Sequence, residues 1–440
     1  MKESKFNLYL TTNDGTELLF NAKTCALAIV DTEYKSLLNA LKGNCPLSDT
    51  LKKVLDSAIE AGFIIENNAD ELTEINLKRN YAKFSEYSFS LTIAPTLMCN
   101  FVCPYCYETR QPGFMDANTQ KNLVEFAKEH LALSKEFNVT WYGGEPLLAK
   151  EIIYSLSSKF LEICAQKGVK YTSYIITNGS LLTQDDIEMF KKYNIVGAQI
   201  TVDGPKNIHN VRRKSRDGKD TFEIILKNIN LLLKSGLGVT IRINLDKTND
   251  TNLEELFQEL SKRLYNKRVK ISFGHVSAYT EACKSIESTC YDNIEYAHKI
   301  LEYYAALRKY GFDEYNFPFY PMPKFLSCCA ETANSFVVDQ KGYLYKCWNE
   351  VGQVENAIAN INDEVNLFNV MHAKWLGINP LVDKDCKDCL ILPACMGGCP
   401  FMRLQGHKKS NLCDLSKFNL NEIVKLMYDL YLQNNENPVM

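Results

Sequence analysis

The sequence turns on Cys99-Asn100-Phe101-Val102-Cys103-Pro104-Tyr105-Cys106, which follows directly on the apolar run Phe89-Ser90-Leu91-Thr92-Ile93-Ala94-Pro95. The C-x3-C-x2-C spacing puts three thiolates in one short loop at the end of a predicted strand. A cubane iron-sulfur cluster normally takes four protein ligands. With three, one iron keeps an open position, much as a catalytic zinc keeps a site for water, and an exogenous ligand can coordinate there. The plainer readings are a structural zinc knuckle or buried core thiols, since free cysteine is among the most buried residue types.

At these residues the sequence resembles the radical S-adenosylmethionine (radical SAM) family. The resemblance implies that the amino and carboxylate groups of S-adenosylmethionine chelate the open iron. Reductive cleavage would then give a 5'-deoxyadenosyl radical that abstracts a substrate hydrogen. On this reading Cys99, Cys103 and Cys106 are the catalytic cluster ligands, and Tyr105 joins the cofactor-binding set.

Composition sets few other limits. The chain of 440 residues has room for two or three domains, and its 46% hydrophobic and 23% charged content is that of an ordinary globular protein. With a formal net charge of -3 and scattered Lys and Arg, no basic patch points to nucleic acid or an anionic membrane. The N-terminal residues lack the apolar core of a signal peptide, and no apolar run approaches a membrane span, so a cytoplasmic location is expected. Most of the sixteen cysteines bunch at metal-ligand spacings, which suggests a reducing setting and clusters, not disulfides.

Residues 1–86 form the first expected domain. Phe6 to Leu10 and Leu18 to Asn21 flank an Asp14-Gly15 hairpin signal. Helices are expected over Thr32 to Leu41 and from a Ser48 cap to Ala61, followed by a short strand at Phe63 to Ile65. This winged-helix-like pattern resembles the precursor-peptide recognition element of peptide-modifying radical SAM enzymes, which implies that a leader peptide adds as a strand to a sheet edge. The alternative is an N-terminal cap without a binding role. Cys25 and Cys45 have no partner spacing and read as core thiols.

Over 87–310 strands and helices alternate, which predicts βα units around a parallel sheet. The expected strands are Phe89 to Ala94, Asn138 to Tyr142, Thr172 to Thr177, Ala198 to Val202, Gly238 to Asn244 and Val269 to Phe273. They fit the α/β fold that the resemblance implies, a partial (β/α)6 radical SAM barrel with ligand residues at the C-terminal strand ends. Gly143-Gly144-Glu145-Pro146 resembles the family motif that holds the S-adenosylmethionine amino group, with Glu145 able to accept charge-assisted hydrogen bonds. Asn178 ends the third strand. Thr201-Val202-Asp203-Gly204 resembles the family's Ser-x-Asp-Gly segment, and His209, Arg212 and Arg213 follow it. An arginine suits the ligand carboxylate, and Arg213 is assigned to the cofactor set. Arg242 and Asn244 alternate with Ile241, Ile243 and Leu245, so period two aims both at one face, the expected barrel interior.

After a last barrel helix over Tyr291 to Arg308 and a proline-punctuated connector at 316–323, cysteines dominate. Cys329-x12-Gly342-x4-Cys347 is followed by Cys386-x2-Cys389-x5-Cys395-x3-Cys399 and Cys413. This field resembles the SPASM extension of radical SAM enzymes, expected over 311–440. The resemblance implies two auxiliary [4Fe-4S] clusters, three clusters in all. Cys329, Cys347 and Cys399 would serve the first, and Cys386, Cys389, Cys395 and Cys413 the second. A hairpin turning at Gln340 to Gly342 would bring Cys329 and Cys347 together. The fourth ligand of the first auxiliary cluster stays open among Cys328, Cys283, Cys290 and a substrate thiolate.

The expected activity is a peptide maturase, and its expected product is an oxidative thioether cross-link in a ribosomally made precursor. Expected partners are that precursor peptide, its leader bound by the N-terminal domain, and a reductant such as flavodoxin or ferredoxin; neither nucleic acid nor membrane is expected. The alternatives are carbon-carbon cross-linking and anaerobic sulfatase maturation. The resemblance implies that sulfatase-maturing enzymes place a basic Asp after the cysteine matching Cys347. Here Trp348 stands there, and indole nitrogen is no proton acceptor.

Overall fold

A run of three buried apolar residues, Leu18-Leu19-Phe20, decides how the N-terminal segment folds. Alternate side chains of a strand point to opposite faces, so such a run needs cover on both. The computed structural model describes residues 1–278, 280–312 and 321–436. Its chain divides by packing into two units, the first made of Met1–Lys83 with the described residues of 318–328 and 378–440, the second of residues 84–317 and 329–377 as described. The cysteine-rich segment expected as one domain over 311–440 is thus shared between the two. Of the connector expected at 316–323, residues 316–320 lie outside the described residues.

In the first unit, β1 (Lys2–Glu3) precedes the antiparallel strands β2 (Asn7–Thr11), β3 (Glu17–Asn21) and β4 (Leu27–Ile29), which form a sheet in that order. Helices α1 (Thr32–Lys42) and α2 (Asp49–Glu60) start at side-chain caps, Asp31 accepting from the Tyr34 amide and Ser48 from the Leu51 amide. Strand β5 (Ile64–Ile65) pairs with β1, and α3 (Glu71–Phe84) follows. Leu19 faces α1 and α2 in a core with Leu37, Ala58 and Phe63. Leu18 and Phe20 face the other way, into a second core with Phe6, Ile75, Cys386, Leu392, Cys395 and Val424. The N-terminal sheet therefore shares a core with the C-terminal cysteine segment and helix Ser416–Glu436. Arg79 and Lys83 of α3, both buried, add hydrogen bonds to the Ile378 carbonyl.

In the second unit, parallel strands β6 (Ser88–Ile93), β7 (Glu136–Trp141), β8 (Lys170–Thr177), β9 (Ile195–Thr201), β10 (Gly238–Leu245) and β11 (Lys270–His275) lie side by side in chain order. The helices between them are α4 (Ala117–His130), α5 (Lys150–Lys167), α6 (Gln184–Lys192), α7 (Lys206–Arg212), α8 (Phe222–Lys234) and α9 (Leu253–Arg263), with α10 (Asn293–Lys309) after β11. All six strands expected from the sequence are present, as is the last barrel helix. Along β10 the residues alternate between buried Val239, Ile241, Ile243 and Leu245 and half-buried Thr240, Arg242 and Asn244. The polar set shares a face with Tyr174 of β8, whose hydroxyl bonds Thr240 Oγ1 at 3.0 Å.

The sheet does not end at β6. Strand β12 (Ser335–Val338) pairs parallel to β6, and β13 (Tyr343–Tyr345) and β14 (Ala359–Asn360) continue it antiparallel, giving nine strands. The hairpin expected around Gln340 to Gly342 is therefore part of the barrel sheet. Among the described residues, no helix is long and apolar enough to cross a membrane.

The shared core of the first unit predicts that residues 1–86 alone expose Phe6, Leu18 and Phe20 and show no cooperative thermal transition by circular dichroism. In the full chain, Phe20→Ala is expected to lose about 3–5 kcal/mol in a urea titration.

Candidate functional site

The end of β6 leads into the cysteine loop, and backbone from two directions holds that loop. On one side the Val102 amide bonds the Lys214 carbonyl at 2.8 Å, the Arg216 amide bonds the Asn100 carbonyl at 2.8 Å, and Arg216 Nε bonds the Cys99 carbonyl at 2.8 Å. On the other, Gly143 and Gly144 press against residues 94–98. A Cβ on Gly143 would stand 2.3 Å from the Thr96 carbonyl, and one on Gly144 2.3 Å from the Met98 carbonyl. Gly143 also has φ +113°, a region that side chains strain to reach. The two glycines, expected to let the backbone approach a ligand, are needed first for this approach of protein to protein.

Glu145 closes the same turn. It is fully buried, and its carboxylate accepts from Thr177 Oγ1 at 2.6 Å, the Asn178 amide at 2.7 Å and the Leu147 amide at 2.9 Å. Burial pushes its carboxyl pKa up, against those three bonds. The side chain ties the turn after β7 to the end of β8. Pro146 starts the following turn and is buried. Asn178, placed by the Glu145 bond, donates to Asn100 Oδ1 at 2.7 Å and accepts from Ser180, while Asn100 donates to Ser180 Oγ at 3.0 Å. Asn100 and Ser180 were not expected. Their signal was position, Asn100 inside the cysteine loop and Ser180 one residue past Asn178-Gly179.

A second network joins the loop to β9 and β10. Tyr105 donates its hydroxyl proton to Asp203, which is fully buried and also accepts from the Asn244 amide at 2.9 Å. Arg213 donates to the Tyr105 oxygen at 2.8 Å and lies over the Phe101 ring. Arg213 Nε is buried without a hydrogen-bond partner. Arg212 parts from its neighbour: its guanidinium forks onto Asp246 at 3.0 Å on both oxygens, a structural pair. His209 is buried and packs against Phe222, and burial holds its pKa well below the usual value. Arg242 bonds Asn244 Oδ1 at 3.1 Å and Ser272 Oγ at 3.3 Å, while Thr201 sits buried at the end of β9.

An open cavity of about 390 Å³ lies against this loop, lined by Val102, Cys103, Cys106, Glu108, Thr109, Arg110 and Ala282. Desolvation pushes the Cys99 thiol up to about 11 and Cys106 to about 12, and raises Cys103 also. Glu108, unexpected from the sequence, is raised by burial to about 7. The Tyr107 and Tyr142 hydroxyls bond each other, and Tyr142 packs against Trp348 with ring centres 4.9 Å apart. Cys329 and Cys347 stand at the open end of the β12–β13 hairpin, where Lys346 bonds the Thr332 carbonyl at 2.6 Å. Cys283 and Cys290 point their thiols at carbonyls of their own turns.

In the first unit, Cys386, Cys389, Cys395 and Cys413 line one cavity, with Gly397, Lys409 and Lys417. The turn after Cys395 runs through Met396, Gly397 and Gly398, all with positive φ. A Cβ on Gly398 would stand 1.8 Å from the Leu412 carbonyl, so this turn seats against the strand of chain before Cys413. Cys399 belongs to the same unit. Among the described residues no three His, Cys, Asp or Glu close around a single metal ion. A four-thiol cavity suits a larger, sulfur-bridged group, and a three-thiol loop beside an open cavity suits one with an exchangeable position.

Residues 93–260 match the Radical SAM superfamily. This stretch is a radical SAM domain. The chain is 30% identical over 165 residues to a serine-type anaerobic sulfatase-maturating enzyme of Bacteroides thetaiotaomicron, a stretch covering 36% of this chain and 39% of that one. Across the first relatives matched, the chain spans between 34% and 54% of their length. The radical SAM fold extends further. Native anSMEcpe with bound AdoMet and Cp18Cys peptide superposes with TM-score 0.60 at 20% identity, covering 80% of this chain and all of that one. Streptococcus suis SuiB bound to precursor peptide SuiA superposes with TM-score 0.56 at 15% identity, covering 94% of this chain and 98% of that one.

Glu350, two residues beyond Trp348, is 5% exposed, and its Oε2 has no hydrogen-bond partner. Burial raises its pKa from 4.5 to about 7. A raised carboxyl binds its proton more tightly folded than unfolded, so it destabilises the fold as pH climbs from about 4.5 to 7. Glu350→Gln is therefore expected to gain stability relative to the parent by roughly 2–3 kcal/mol between pH 4.5 and pH 8, read from urea denaturation of the metal-free chain.

Proposed function

We propose that this chain is a radical SAM peptide maturase that installs an oxidative cross-link, a cysteine thioether, in a ribosomally made precursor peptide. The observation that carries the reading is a pair of cysteine sites of unlike stoichiometry, a three-cysteine loop with Cys103 and Cys106 on an open cavity and four cysteines lining a separate one. When bound, a [4Fe-4S] cluster and S-adenosylmethionine at Cys99, Cys103 and Cys106 supply a 5'-deoxyadenosyl radical. The chain's own residues position that pair. Glu145 fixes the glycine turn and the Asn178 backbone, and Asp203 and Arg213 hold Tyr105 inside the loop. Thr201, Arg242 and Asn244 present polar groups from β9 and β10, and the Arg213 charge suits a ligand carboxylate.

Cys386, Cys389, Cys395 and Cys413 would hold one auxiliary [4Fe-4S] cluster; Cys329, Cys347 and Cys399 would serve another. Loss of two hydrogens from a peptide is an oxidation, which such clusters suit. Substrate peptide is supported by the fold shared with SuiB along nearly the whole chain and by the precursor peptide bound to that protein. A leader segment would add to β2 or β4, the edge strands of the N-terminal sheet. A one-electron donor of the flavodoxin or ferredoxin kind would supply the reducing electron.

The likeness to sulfatase-maturating enzymes favours a second reading, oxidation of a sulfatase Cys or Ser to formylglycine. Trp348 weighs against it, because an indole packed on Tyr142 cannot take a proton.

Reconstituted, reduced protein is expected to hold about 12 irons per chain. With S-adenosylmethionine and a cysteine-bearing precursor it should yield a peptide lighter by two hydrogens that has lost one alkylatable thiol. A sulfatase peptide converted to a hydrazide-reactive aldehyde, with no thioether in any precursor, would establish the second reading instead.

A further inference from the structure

At the four-cysteine cavity, the Arg403 guanidinium bonds one of the four sulfurs. Its Nη2 donates to Cys386 Sγ at 3.2 Å and to the Gly397 carbonyl at 2.8 Å, while Nη1 donates to Asp383 at 3.1 Å. The planar fork is therefore fixed at three points, and neither hydrogen of Nη2 is left over. Asp383 is shared with Lys409, whose Nζ lies 2.6 Å from it, and Lys409 also bonds Asp385. Lys409 and Lys417 line the same cavity. Three cations thus surround four thiols, and Asp383 and Asp385 offset part of their charge.

We propose that Arg403 is a positioning residue that raises the reduction potential of the auxiliary cluster held by Cys386, Cys389, Cys395 and Cys413. The inference rests on the cluster assignment made above. Taking up one electron makes a cluster more negative by one charge, and that charge is spread over its cysteine sulfurs. A guanidinium hydrogen bond to Cys386 Sγ is stronger to the more negative form, so it favours reduction. The Gly397 and Asp383 bonds hold the guanidinium at the sulfur in both states, so little reorganisation opposes the electron's arrival. Arginine keeps its charge at any working pH, and the effect needs no proton to move.

The test uses the full chain reconstituted with iron and sulfide, carrying Cys99→Ala, Cys103→Ala and Cys106→Ala so that only auxiliary clusters contribute. Midpoint potentials are read by electron paramagnetic resonance during titration with dithionite and mediators. Arg403→Gln is expected to retain iron and to hold, at fixed solution potential, a reduced-to-oxidised ratio about tenfold lower for one cluster, a midpoint about 59 mV more negative. Arg403→Lys keeps the charge without the fork and is expected to shift in the same direction by less. Unchanged potentials with full iron would overturn the role of Arg403 while leaving the cluster assignment standing. If Arg403→Gln loses the cluster, Arg403→Lys decides. Should both lose it, Arg403 is needed for assembly alone and the proposal fails. Absence of auxiliary iron in the parent would overturn the cluster assignment itself.

Discussion

The second unit depends on one buried carboxylate. Glu145 sits just beyond β7, and the bonds its carboxylate accepts come from the next strand's end and from its own turn, while its amide bonds the Met98 carbonyl at 2.8 Å. An uncompensated carboxylate at that depth would cost several kcal/mol, and three donors offset it. Because Glu145 cannot move, the Gly143-Gly144 turn before it cannot move, and the backbone of residues 96–98 has a fixed surface to lie on. The cysteine loop starts from that backbone. A cluster needs its thiols held before the iron arrives, and the acid that does this never touches them.

The first unit rests on a different constraint, an apolar sheet with two faces and helices enough for one. Helices α1 and α2 cover Leu19, and the cysteine segment with helix Ser416–Glu436 covers Leu18 and Phe20. Cys386 and Cys395 belong to that second core. Anything that orders the four-cysteine cavity therefore also orders the floor under β2 and β3. Ordering the four-cysteine cavity and ordering the N-terminal sheet draw on the same buried residues, so the two are thermodynamically linked.

The barrel was legible because its signals are local. β-branched runs separated by amphipathic stretches gave all six parallel strands to within a few residues, and period two put Arg242 and Asn244 on one face. What was hidden is long-range or inverted in polarity. Nothing local in Ser335–Val338 says that it pairs with β6 and not with a separate domain's sheet. Helix α3 was missed because its buried face carries Glu71, Arg79 and Lys83, charges that read as solvent-facing until Ser4 and Lys5 donate to Glu71 and the Ile378 carbonyl accepts from Arg79 and Lys83. Strand β4 is three residues long and follows Cys25, a non-glycine residue at φ +60°, where no turn motif announces itself. Within the site, motif position found Glu145 and Asp203, yet it could not say which way their carboxylates face.

The surroundings of the two cysteine sites differ as their ligand counts do. At the three-cysteine loop Arg213 bonds Tyr105 and keeps a buried Nε without a hydrogen-bond partner, while Arg110 lines the open cavity with Cys103 and Cys106. A charge held there with bonding capacity to spare is available to an anionic ligand. At the four-cysteine cavity, Arg403 and Lys409 spend their donors on sulfur, carbonyl and carboxylate within the protein. The cations at four thiols are thus bonded to sulfur, carbonyl and carboxylate within the protein, while a guanidinium nitrogen near three is not, which is the contrast expected between a site that only passes electrons and one that exchanges a ligand.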